Sequence, residues 1–256
     1  MNRINAPDGT PLIFDAYEPA QAHVAVLFLH DWYPPGLSDR WAPLGTQLRN
    51  AGFAAYFLDQ RGQGRSGGRR GHLSRFSQLL GDLQAFRRAV RQRQDVPQVL
   101  VGHGFGGLVV LRYLETQPGE APTAAIVSGP WLASRVPPPA WKRLAARLAD
   151  LWPTLPTGRG SQYMTAGARA ELQWAQRAVL ADCQRIERPV LFLLGGADRV
   201  IDVDAARTLS KDLAARATLN LYPDLSHELF GVQRVLEDVM TFARTHRAVE
   251  PSPASE

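Results

Sequence analysis

The sequence predicts an α/β fold: a mostly parallel central sheet flanked by helices, with a small helical segment inserted. Three observations carry this. Short apolar runs such as Val24 to Leu29 alternate with longer amphipathic stretches. The runs are apolar on consecutive residues, as strands buried on both faces require. One stretch, Trp131 to Arg185, breaks the alternation and contains no strand pattern.

Taken in order, the first predicted strand is Leu12 to Tyr17, entered through the turn Asp8-Gly9-Thr10. Val24 to Leu29, Phe53 to Leu58, Gln98 to Val101, Ala124 to Val127, Val190 to Leu194 and Thr218 to Tyr222 follow. Helical periodicity fills the intervals, over Trp41 to Asn50, Phe76 to Gln94, Gly106 to Glu115, Asp204 to Ala215 and Val232 to Thr245. Strand and helix alternating at this spacing select a parallel sheet covered on both sides. The expected core is 1–130 with 186–247, and the inserted cap is 131–185. The cap opens on Pro137-Pro138-Pro139 and carries helical patterns over Trp141 to Trp152 and Ala168 to Ala181, separated by a Pro/Gly-rich turn. In the first of these, Trp141, Leu144, Ala145, Leu148 and Trp152 share one face. That stripe suits packing on the core or a lid over an apolar pocket. The polar residues 248–256 are expected to be disordered.

A chain of 256 residues, 45% of them hydrophobic, has enough apolar surface for one large core. The single cysteine, Cys183, excludes an internal disulfide and reads as structural. The formal net charge is +5, but the arginines are spread over several predicted helices, so nucleic acid is not an expected partner. Met1 to Thr10 has no apolar core, and no run approaches 18 apolar residues. The expectation is therefore a cytoplasmic protein with no membrane span, though transient membrane contact through the cap is compatible with its apolar stripe.

The chemistry concentrates in Val99-Leu100-Val101-Gly102-His103-Gly104-Phe105-Gly106-Gly107-Leu108. A buried strand runs into a tight turn and directly into a helix. This is the setting of the G-x-S-x-G nucleophile elbow, in which the central residue is exposed at the carboxyl end of the sheet. Here the central residue is Gly104.

These residues resemble the monoacylglycerol lipase and lysophospholipase branch of the α/β-hydrolases, whose elbow usually reads GHSMGG. Further similar segments are Asp59-Gln60-Arg61-Gly62-Gln63-Gly64-Arg65-Ser66-Gly67-Gly68, Val127-Ser128-Gly129-Pro130, Gly195-Gly196-Ala197-Asp198 and Ser226-His227-Glu228-Leu229. The likeness runs over residues 8–247. It implies the α/β-hydrolase fold and a carboxylic ester hydrolase with no cofactor and no metal. Its partner would be a small apolar or acyl-containing molecule under the cap. It also implies that Asp198 is the triad acid, that His227 is the base, and that His103 is an ordinary structural histidine. Gly104 would hold the nucleophile position with its side chain missing.

The resemblance places the oxyanion hole at the backbone of Phe105 and in the loop Leu29-His30-Asp31-Trp32, so Phe105, Asp31 and Trp32 are its candidate residues. The family usually has His-Gly there. Asp31 replaces the glycine, and a carboxylate beside a developing oxyanion would oppose it unless it points away. With no hydroxyl at 104 the triad has no nucleophile. Ordinary acyl-serine catalysis is expected to be absent or very weak. The scaffold could alternatively serve as a ligand-binding pseudoenzyme, or use His227 and Asp198 as a base for non-hydrolytic chemistry. Elbow residues adopt positive φ, so restoring serine should cost on the order of 1 kcal/mol.

Overall fold

Alternate residues of one strand feed two different cores. Ala25, Leu27 and Leu29 face one side of the sheet, and Val24, Val26 and Phe28 the other. A strand buried on both faces must therefore be apolar at every position, which is why its sequence shows a run and no alternation. The computed structural model describes residues 2–32, 37–116, 121–135, 139–141, 144, 151–157 and 163–247. The strands are β1 (Asn2–Asn5), β2 (Pro11–Tyr17), β3 (Val24–Leu29), β4 (Phe53–Asp59), β5 (Gln98–His103), β6 (Ala124–Ser128), β7 (Val190–Gly195) and β8 (Ala217–Tyr222). The helices are α1 (Leu37–Asn50), α2 (Phe76–Arg93), α3 (Phe105–Thr116), α4 (Ala166–Asp182), α5 (Val203–Asp212) and α6 (Gln233–Thr245).

The eight strands form one sheet in the order β1-β2-β4-β3-β5-β6-β7-β8. The pairs β1–β2 and β2–β4 are antiparallel, and the pairs from β4 onward are parallel. Helices α1 and α6 cover one face, through Leu44, Leu48, Leu236, Val239 and Phe242. Helices α2, α3, α4 and α5 cover the other, through Leu83, Phe86, Leu108, Leu172 and Leu209. This is the expected α/β-hydrolase architecture.

Strand β1 was not expected from the sequence. It is four residues long, polar but for Ile4, and lies at the sheet edge, so no apolar run announces it. The turn Asp8-Gly9-Thr10 folds it back onto β2: the Thr10 N–H donates to Asp8 Oδ1 at 3.0 Å, and Gly9 takes φ +83°. Helix α1 starts four residues before the predicted Trp41. Helix α4 spans the helical pattern Ala168 to Ala181; the Thr165 hydroxyl caps it by accepting the Ala168 N–H. It buries Leu172, Ala175 and Val179 in the same core that α3 feeds. Most of the first predicted cap helix, Trp141 to Trp152, lies outside the described residues, as does 248–256. No described helix is long and apolar enough to cross a membrane.

Candidate active site

The parallel strands deliver four residues to one edge of the sheet. Asp31 lies just after β3, Gly104 just after β5, Asp198 just after β7 and His227 in the loop after β8. Parallel strands all end on the same side, so their following loops converge there.

Gly104 occupies the turn between β5 and α3 with φ +54°. The turn is tight because β5 and α3 nearly touch: a β-carbon on Gly102 would run into the backbone of Gly106, and one on Gly106 into the backbone of Leu29. Glycines at 102 and 106 are therefore steric requirements of the strand–turn–helix junction. The Gly104 carbonyl accepts from the Trp131 N–H at 2.9 Å, and its own N–H donates to Ser128 O at 3.0 Å, which fixes the turn against the end of β6.

Asp198 and His227 are brought together. Asp198 Oδ2 is 2.7 Å from His227 Nδ1, while its Oδ1 accepts the N–H groups of Val200 at 2.7 Å and Ile201 at 3.1 Å. The loop holding the acid is tied down from the segment after β6. The Asp202 N–H donates to Ala133 O at 2.9 Å, and the Arg135 guanidinium donates to the Asp198 carbonyl at 2.6 Å. Both carboxylate and imidazole are buried.

Asp31 does not point away. Its Oδ1 accepts the N–H of Phe105 at 2.7 Å and the N–H of Trp32 at 2.7 Å. Its Oδ2 lies 3.3 Å from His227 Nε2. Of the candidate oxyanion-hole residues, the backbone N–H groups of Phe105 and Trp32 both point at one oxygen, and that oxygen belongs to the third candidate, Asp31. A β-carbon on Gly104 would fall on that same carboxyl group. The expected cost of a serine at 104 is thus larger than backbone strain alone supplies, because the space is taken.

The loop carrying Asp31 is held from beneath by His30. The Gln60 N–H donates to His30 Nε2 at 3.1 Å, so Nε2 is the acceptor nitrogen and Nδ1 carries the proton. Nδ1 then donates to the Asp31 carbonyl at 2.5 Å. Burial pushes the His30 pKa down, in keeping with a neutral ring. The Gln60 amide completes the brace, donating to His30 O at 2.6 Å. On the other side the Trp32 indole N–H donates to Tyr163 O at 3.1 Å, and its ring meets Phe105 edge to face at 4.8 Å. The sequence shows Gln60 only as a member of the family-like segment after β4, with nothing that assigns it this bracing role.

The charges settle around the histidine. Burial alone would lower the His227 pKa, but the hydrogen bonds to Asp198 and Asp31 and their negative charges outweigh it and push it up to about 10. His227 is therefore an imidazolium at neutral pH, held between two carboxylates. Burial would raise Asp31, and the bond to His227, the neighbouring ring of His103 and the Phe105 N–H together bring it below its ordinary value. Burial would likewise raise Asp198, and its bond to His227, the charge of that ring and the N–H groups of Val200 and Ile201 bring it below its ordinary value.

His103 lies under this group. Its ring is 4.6 Å from that of His227, Nδ1 lies 3.2 Å from both the carbonyl and the hydroxyl of Ser128, and Nε2 lies 3.4 Å from the Glu228 carboxylate. Asp31, His103 and His227 each offer a ligand atom within 4.8 Å of one another, which makes them the metal-capable group among the described residues. The planes of the two imidazoles are tilted by 36° to each other. The glycine-rich loop Asp59 to Gly68 is tied by ion pairs to itself and to the neighbouring α2 and β2. Arg61 makes two 2.5 Å bonds to Asp82, and Arg65 bridges Asp59 and Asp15. Cys183 is buried at the end of α4, and burial pushes its thiol up, as suits a packing residue.

The Hydrolase_4 model, described as serine aminopeptidase, S33, matches residues 35–172 and 159–233. A monoacylglycerol lipase of Mycolicibacterium smegmatis is 27% identical over 93% of this chain and 94% of its own length. The crystal structure of a monoacylglycerol lipase of Paleococcus ferrophilus superposes with a TM-score of 0.80 at 23% identity, covering 92% of this chain and 99% of that one. A soluble variant of the Saccharomyces cerevisiae monoglyceride lipase, solved with a substrate analogue, gives 0.81 at 19% identity, covering 96% and 95%.

Proposed function

The chain belongs to the Hydrolase_4 family, serine aminopeptidase S33, with the scaffold of lipases and esterases, and on that premise we propose that it is a member in which acyl-serine catalysis has been replaced. Gly104 stands at the nucleophile position without a side chain, Asp198 is the acid, and His227 is its partner. The ligand is a small apolar or acyl-containing molecule that enters beside α4. Leu151, Trp152 and Leu155, exposed ahead of that helix, supply apolar surface in keeping with such a ligand.

The observation that carries this reading is the position of Asp31. An ester hydrolase needs two vacant N–H donors for the substrate's developing oxyanion. Here Asp31 Oδ1 already holds both, at 2.7 Å each. A substrate carbonyl would have to displace a carboxylate that is also paired with an imidazolium. Two elements of ester hydrolysis are thus lost together, the hydroxyl and the open hole. The raised pKa of His227 also weighs against its use as a resting base toward water.

The test is hydrolysis of p-nitrophenyl esters and monoacylglycerols by the parent, Gly104→Ser, Asp31→Gly and the double variant. Parent and both single variants should be silent, and activity should appear in the double variant. Ester turnover by the parent that His227→Ala abolishes would refute the reading, as would full activity in Gly104→Ser alone.

A further inference from the structure

We propose that Asp31 is itself a nucleophile, acting on a saturated carbon that carries a leaving group, so that the site hydrolyses alkyl halides or epoxides through an alkyl ester of Asp31. The proposal rests on the reading above only in taking the ester route as closed.

The two oxygens of Asp31 are differentiated by their surroundings. Oδ1 is fixed by two backbone N–H groups. Oδ2 accepts only the longer contact to His227 Nε2, at 3.3 Å. The side chain keeps 21% of its surface exposed, whereas Asp198 keeps 1%. Asp31 is thus a fixed, partly open carboxylate with one oxygen available to attack. The missing side chain of Gly104 makes room for it, since any β-carbon there would overlap the carboxyl group.

The arrangement discriminates between electrophiles. Attack on an ester carbonyl would create a second oxyanion with no donors left for it, and would give a mixed anhydride. Displacement of halide at a saturated carbon creates no oxyanion in its first step, and opening an epoxide places its alkoxide on the leaving side of the carbon, opposite Oδ2, where water protonates it, so in neither case is the occupied hole an obstacle.

The electrons balance as follows. An Oδ2 lone pair forms the bond to carbon, and the carbon–halogen or carbon–oxygen bond of the substrate breaks, its pair leaving on halide or on an alkoxide that water protonates. Asp31 is then a neutral ester. His227 has lost one of its two counter-charges and releases its proton to solvent. Neutral Nε2 takes a proton from a water whose oxygen attacks the Asp31 carboxyl carbon. The resulting oxyanion is Oδ1, already held by Phe105 and Trp32, the preorganised arrangement such an intermediate needs. Collapse breaks the bond between Oδ2 and the carboxyl carbon, the departing alkoxide takes the proton from His227, and Asp31 yields its remaining proton to the ring. Asp198 orients the imidazole throughout.

The experiment uses the full chain in molar excess over n-hexyl bromide or hexene oxide, as separate arms, in heavy-oxygen water. The first turnover should place heavy oxygen in the peptide containing Asp31, and the released alcohol or diol should carry light oxygen from Asp31 at the new position. His227→Gln should accumulate an adduct on Asp31 of one alkyl group's mass, read on the intact protein. Asp31→Asn should lower product formation on the order of 10³-fold, with its fold checked by circular dichroism. Product without label in Asp31, or neither product nor adduct in both arms, overturns the proposal. That failure would leave the ester assays untouched, so the two readings fall separately.

Discussion

The carboxyl group of Asp31 fills the space that a side chain on Gly104 would need. The two residues are 73 positions apart in the chain, yet neither can be understood alone. A side chain at 104 excludes the carboxylate, and the carboxylate occupies both donors that a serine-dependent reaction would use.

Gly104→Ala should therefore destabilise the protein by about 2–3 kcal/mol, combining an overpacked contact with a positive φ. Urea unfolding of the single variant and of the Asp31→Gly, Gly104→Ala pair checks this. The pair should lose clearly less than the sum of its singles, since removing the carboxyl group frees the space.

His227 should titrate far above the ordinary histidine value of 6.5, with a midpoint near 10. Imidazole resonances followed by NMR between neutral and alkaline pH read it directly. In Asp31→Asn the midpoint should fall by at least one unit, because one of two negative partners is gone. A midpoint near 6.5 in the parent would contradict the doubly paired imidazolium.

The same shifts set the pH dependence of stability. A group whose folded pKa is raised stabilises the fold fully below its unfolded value and loses that contribution as pH rises through the folded one. The His227 contribution should thus be intact below about 6.5 and lost as pH climbs through about 10. Asp31 and Asp198 are lowered, so their contribution is present above 3.8 and fades as pH falls beneath it. Melting temperature against pH should show a plateau between these limits, and Asp31→Asn should flatten its alkaline edge.

Gly102→Ala tests the junction that presents position 104. Its β-carbon would meet the Gly106 backbone, where no side chain can swing aside. A loss of about 3 kcal/mol in urea unfolding is expected, larger than for Gly9→Ala, where a β-carbon meets nothing within 4 Å.

The sheet was legible in the sequence because its central strands are buried on both faces, so each leaves an uninterrupted apolar run. Strand β1 was not, since an edge strand with one apolar residue leaves no such trace. Asp198 and His227 could be found from the loops that follow β7 and β8. The direction of the Asp31 side chain could not. Sequence shows a carboxylate in the loop after β3, where the resemblance leads one to expect glycine, but whether it turns toward or away from Phe105 depends on the His30–Gln60 brace and on free space at Gly104, both set by the packed fold. Two departures from the family pattern that look independent along the chain are one departure in space.

The occupied donor pair also bears on how this sequence can change. Serine introduced at 104 by a single mutation lands on a carboxylate, and glycine introduced at 31 leaves two bare amides and an imidazole without one of its counterions. Each single change is disfavoured by the packing around it, so a path from this site to one with serine at 104 and glycine at 31 crosses a valley that only two simultaneous changes can span. The present site is thus held in place by its own geometry, whether or not selection still acts on it.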